Sequence, residues 1–95
     1  MFTRITTGRY DTANEQDAHR MIGDTVLSAA RGLPGFKGYN GSLDHNGKFV
    51  VISNWETEQQ AKDFRDKLDG NIMQQIKDLG VQLDSAQIYE TITQV

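Results

Sequence analysis

The sequence predicts an α+β domain: two amphipathic helices on one face of a four-stranded antiparallel sheet, in the order strand, helix, strand, strand, helix, strand. Three observations carry this expectation. Between Leu33 and Thr57 the chain reads Leu-Pro-Gly-Phe, a polar strand, Asn46-Gly47, and then Lys48 to Glu56, which contains the apolar run Phe49-Val50-Val51-Ile52. Asn-Gly is a strong short-range signal for a two-residue hairpin, because both central residues need positive φ. The segments 15–31 and 58–79 repeat apolar residues at helical spacing, each behind a capping signature. The stretch from Val81 to Val95 is rich in β-branched residues.

Taken in order, Phe2 to Tyr10 alternates loosely and is rich in Thr, which predicts the first strand; Gly8 near its end marks a bulge or a close approach. Thr12 and Glu15 fit a capping box, with Asn14 as a rival cap. Ala18, Met21, Ile22, Thr25, Val26, Ala29 and Ala30 then share one helical face. Gly23 inside this helix predicts close packing, since glycine there costs about 1 kcal/mol against alanine. Gly32 is expected to end the helix as a left-handed cap, two residues before Pro34. Phe36 to Asp44 is the second strand, with Gly38 and Gly41 as bulges or close approaches. Lys48 to Glu56 is the third. Thr57-Glu58-Gln59-Gln60 is a second capping box, opening a helix that Asp69-Gly70-Asn71 interrupts and Gly80 stops. Val81 to Val95 is the fourth strand, bulged near Asp84-Ser85.

The chain has 95 residues, which fits one domain over 1–95 with a thin core. The net charge is −3, and the ten Lys and Arg residues form no stripe, so nucleic acid is not an expected partner. There is no cysteine, which excludes disulfides, thiolate metal sites and cysteine catalysis and fits a cytoplasmic protein. No apolar run approaches the ~20 residues of a membrane span, so no membrane association is expected. The element order is the split βαβ of ferredoxin-like folds. Right-handed crossovers leave one sheet face bare, and its strands carry Thr, Tyr, Val and Ile rather than a cleanly polar pattern. Two copies packing sheet to sheet would cover it, so a homodimer is expected.

The motif Leu33-Pro34-Gly35-Phe36, a turn glycine, and Val-Val-Ile-Ser-Asn-Trp-Glu-Thr from Val50 resembles the antibiotic biosynthesis monooxygenase domain of the dimeric α+β barrel superfamily. The resemblance in layout spans nearly the whole chain. It implies a dimer of ferredoxin-like subunits, each with a pocket between sheet and helices. It further implies a monooxygenase needing no cofactor and no metal, acting on a small electron-rich aromatic. Two alternatives accompany it: a non-catalytic dimer that binds a small hydrophobic ligand, and a haem-degrading enzyme. The haem-degrading branch uses an Asn on strand one, a Trp ending strand three and a His on helix two. Trp55 matches the second of these; strand one has no Asn and helix two no His.

Such an oxygenase needs a dry pocket, a base or hydrogen-bond acceptor, and donors for a developing oxyanion. Trp55, by resemblance, could donate its indole N–H to a phenolate or stack on a substrate, against the ordinary role of a core tryptophan. His19, near the Ile22 side of helix one, and Tyr39 complete the catalytic candidates. Asn54, Arg4, Phe64 and Met21 are the substrate-binding candidates, with Arg4 and Arg9 suited to an anion. Asn54 lies on the opposite strand face from Trp55, where it would meet a dimer partner instead. Tyr10 and Tyr89 read as packing residues, His45 as part of an exposed turn, and Asp84 and Glu90 as solvated. No phosphate loop, nucleophile elbow or dinucleotide fingerprint is present.

Overall fold

The computed structural model describes residues 1–95. Four strands, β1 (Phe2–Arg9), β2 (Phe36–Leu43), β3 (Lys48–Trp55) and β4 (Gln82–Glu90), form one antiparallel sheet in the order β2-β3-β1-β4. Helix α1 occupies residues 12–31, α2 is Glu58–Asp63, and α3 is Gly70–Asp78, with a 3-10 turn at Arg65–Lys67 between the last two. The expected ferredoxin-like α+β fold is thus present, with the helices on one sheet face.

Phe49, Val51, Ser53 and Trp55 alternate toward the helices on β3 and are all buried; Val50, Ile52 and Asn54 face the other way and are half-buried. The core divides in two. Met21, Val26, Ala30, Trp55, Ala61 and Phe64 form one cluster, and Tyr10, Ala18, Phe49 and Val51 the other.

Several local expectations change. Helix α1 begins as a 3-10 turn in which the Asp11 carboxylate accepts from Ala13 N at 3.0 Å, so Thr12 and Glu15 make no capping box. Glu15 is engaged by the Tyr10 hydroxyl and the His45 ring, both at 3.0 Å, while the Asn14 side chain donates to the Leu79 carbonyl. Met21–Val26 is a π-helical segment. Gly23 lies within it, and an added Cβ would meet nothing within 4 Å, so close packing is not its reason.

Gly32 has φ −81° and is right-handed. The left-handed residue is Gly35, with φ +81° after Pro34, as the third position of a Pro-Gly type II turn requires. The Asn46-Gly47 turn is wider than a two-residue hairpin. Residues 44–47 form the loop, and positive φ falls on His45 (65°) and Gly47 (97°), not Asn46. The Asp44 carboxylate decides this shape by accepting from Asn46 N at 2.8 Å and Lys48 N at 3.0 Å. Those two backbone donors also hold its pKa below the usual value.

The Thr57–Gln60 capping box is complete, and Asp69 caps α3 through Ile72 N. Gly80, with φ +73°, follows α3 as expected. The bulge expected in β4 is present: Thr7 pairs with Ser85 and Gly8 with Leu83, leaving Asp84 as the extra residue. A Cβ on Gly8 would sit 2.4 Å from Gln82 O and 2.6 Å from the Phe49 ring, a true close approach. Strand β4 stops at Glu90 rather than Val95. Thr91 N still donates to Met1 O, at 2.9 Å.

Candidate functional site

A cavity of about 80 Å³ lies on the helical side of the sheet, between the two core clusters. Its walls include Met21, Ile22 and Val26 of the π segment, Phe49 and Val51 of β3, and Phe64. Twelve of its fifteen lining residues are hydrophobic, so any occupant must present an apolar body. The others are Arg4, Thr6 and Arg65. The π segment widens α1 by about one residue per turn, and Tyr39 Oη donates to the Ile22 carbonyl within it, at 2.7 Å. Burial pushes the Tyr39 phenol up to about 12. A side chain at Gly41 would collide with Ile22, which is how β2 admits the bulging helix. Nothing in the periodicity of 15–31 signals this segment.

Arg4 is the unusual member. It is 8% exposed, and no carboxylate lies within ion-pair distance. Its Nη1 donates to Ala61 O at 2.9 Å and Lys62 O at 3.3 Å, and Nε reaches Thr6 Oγ1 at 3.4 Å. The two carbonyls belong to the last turn of α2, where a cation meets the negative end of the helix dipole. Burial lowers the Arg4 pKa, and the nearby Arg65 charge lowers it further, while Asp66 partly offsets both.

The sequence-derived candidates divide. Arg4, Met21 and Phe64 meet at the cavity. Trp55 does not line it. Its indole is 1% exposed, wedged against Phe36 and Phe64 with ring centroids 5.8 and 5.0 Å away, and its Nε1–H donates to Ser53 Oγ at 2.9 Å. The pocket expected between sheet and helices is therefore not beside the indole expected to meet a substrate; Phe64, packed on Trp55, lines it instead. His19 is exposed on a separate groove that it shares with Ile22, Gly41 and His45. Tyr39 stands behind the π segment. Asn54 is on the bare sheet face, accepting from Thr3 Oγ1 at 2.7 Å. Arg65, Val51 and Met73 line the cavity without having been singled out in the sequence. No group of three His, Asp or Glu side chains could hold a metal ion.

The fold and site define a class: a ferredoxin-like α+β domain with an apolar, arginine-bearing cavity beneath its helices. The same fold is found in a candidate antibiotic biosynthesis monooxygenase from Deinococcus radiodurans (TM-score 0.74, 17% identity, covering 100% of this chain and 96% of that one). It recurs in Rv0793 from Mycobacterium tuberculosis (0.68, 10% identity, 98% and 96%). A third example is a mutant form of SnoaB, a cofactor-independent oxygenase from Streptomyces nogalater (0.67, 9% identity, 99% and 95%). At such identities the likeness is one of fold. No protein-family profile and no curated protein matches the sequence. No helix is long and apolar enough to cross a membrane.

Proposed function

We propose that this chain is a monooxygenase of the antibiotic biosynthesis type, working without a cofactor on a small electron-rich aromatic. The observation that carries the reading is the apolar cavity between the π segment and the sheet, lined by Met21, Val51 and Phe64 and bordered by a cation. In this reading Arg4, Met21 and Phe64 hold the substrate, and Trp55 acts through the Phe64 ring it backs. A phenol in its keto form, or the enolate it gives on losing a proton, reduces dioxygen directly. A ring CH₂ becomes C=O, one oxygen atom enters the product, and the other leaves as water with both hydrogens. All four electrons come from the substrate, so no further reductant is consumed.

A homodimer formed through the bare sheet face belongs to the same proposal, supported by Ile5, Val50 and Ile52 at the centre of that face. A cytoplasmic, single-domain protein is consistent with the cysteine-free composition. A second reading, ligand binding without catalysis, is favoured by one specific observation: the cavity lining contains no His, Asp, Glu or Tyr to act as a base. The lining likewise offers haem no imidazole.

Oxygen consumption with anthrone- or dihydroxynaphthalene-type phenols separates the readings. The oxygenase reading expects one dioxygen consumed per quinone formed, and loss of that activity in Val51→Phe, which fills the cavity. Absence of uptake in the folded wild-type protein would leave ligand binding alone.

A further inference from the structure

We propose that the cavity's ligand is a compact apolar molecule bearing one oxyanion, a carboxylate or an ionised phenol or enol, received by Nη2 of Arg4. The inference rests on the cavity's being a ligand site, as proposed above, and adds the charge and placement of the ligand's polar group. An arginine buried this deeply is ordinarily paired with an acid, because desolvating a lone cation is costly. Arg4 has no such partner. Nε and Nη1 are committed to Thr6 and to the end of α2, and Nη2 makes no hydrogen bond within the chain. No fully enclosed side-chain nitrogen or oxygen is left without a partner, so Nη2 keeps contact with open space. Arg4 is one of the residues that line the cavity, and in this proposal Nη2 lies on that side.

Two further features point the same way. Arg65, exposed yet lining the cavity, places a second cation at its rim; no carboxylate is among the lining residues, and Asp66 acts on Arg4 only from beyond ion-pair distance. With Nε and Nη1 committed, Nη2 alone is left to give an oxyanion charge-assisted hydrogen bonds. The size constrains the body. About 80 Å³ is roughly half of the 150 Å³ in which an engineered apolar cavity takes benzene, so a ring must displace something. Met73 on α3 is the wall best able to move: that helix contains no buried residue.

The test is a matched set of probes on the full chain, titrated by protein NMR: benzoate, 4-nitrophenolate above its pKa, neutral benzamide and cationic benzylamine. Both anions are expected to bind at least tenfold more tightly than benzamide and to shift the Arg4 Nε–H and the Ala61 and Lys62 amides. Benzylamine is expected not to bind. The two anion arms tell a carboxylate site from a phenolate site. Arg4→Met should abolish the preference for anions while benzamide affinity stays. Arg65→Gln, an exposed change that does not depend on the fold tolerating the loss of Arg4, should weaken the anions several-fold and leave benzamide unchanged. Equal binding of benzoate and benzamide would overturn the inference and leave the hydrophobic-ligand reading standing. Failure of every probe to move cavity signals would overturn both.

Discussion

Ser53→Ala is the most direct probe of what Trp55 does. Both side chains are 1% exposed, and the indole N–H has Ser53 Oγ as its acceptor at 2.9 Å. Removing the hydroxyl strands a buried donor, which costs about 1–3 kcal/mol, whereas an ordinary exposed Ser→Ala change lies within about 0.5 kcal/mol. In a Trp55→Phe background the donor no longer exists, so the same Ser53→Ala change should cost close to nothing. The expected coupling in the double-mutant cycle is therefore about 1–3 kcal/mol. Urea unfolding followed by far-UV circular dichroism suits all four proteins, since Trp55 is the sole tryptophan and its fluorescence disappears with it. Protein concentration is held fixed, because a dimer's apparent stability depends on it. If Ser53→Ala costs the same in both backgrounds within about 0.5 kcal/mol, the indole N–H is not anchored by Ser53 and is free for other chemistry.

Two predictions concern other parts of the molecule. Ile52→Lys, on the bare sheet face, should convert a particle of twice the 10.7 kDa chain mass into one of that mass in sedimentation equilibrium; identical masses for both proteins would refute the sheet-to-sheet dimer. Burial raises the Tyr39 phenol to about 12, above the ~10 of an unfolded chain, so the folded state keeps a proton that the unfolded state loses between those values. That contribution is fully present below about pH 10 and disappears as pH rises toward 12. Tyr39→Phe should cost about 0.5–1.5 kcal/mol at neutral pH, for the lost bond to the Ile22 carbonyl, with the gap to wild type narrowing through that window in urea titrations. A gap that stays constant with pH would argue against a buried phenol.

How far the sequence could be read depended on how local each determinant was. The Thr57–Gln60 capping box, the β4 bulge and the Gly80 stop were legible because each is decided within a few residues or by one strand's pattern. The hairpin at Asn46-Gly47 was misjudged because Asp44, two residues upstream, captures the Asn46 and Lys48 amides and sets a wider loop. The Thr12 cap failed for a less local reason: Glu15, the residue needed to complete it, bonds to Tyr10 and His45 instead.

The site divides along the same line. By itself the sequence determined the order of elements, the burial of Trp55 on one face of β3 and the apolar seam of α1, since alternation and helical periodicity follow from where water is excluded along one element. Only tertiary structure decided where the hollow lies. It depends on the π segment of α1 meeting Gly41 of β2, on Phe64 closing against Trp55, and on Arg4 of β1 reaching the end of α2 some 57 residues away. A cavity is a shortfall in packing among distant elements, and no single stretch of chain encodes it.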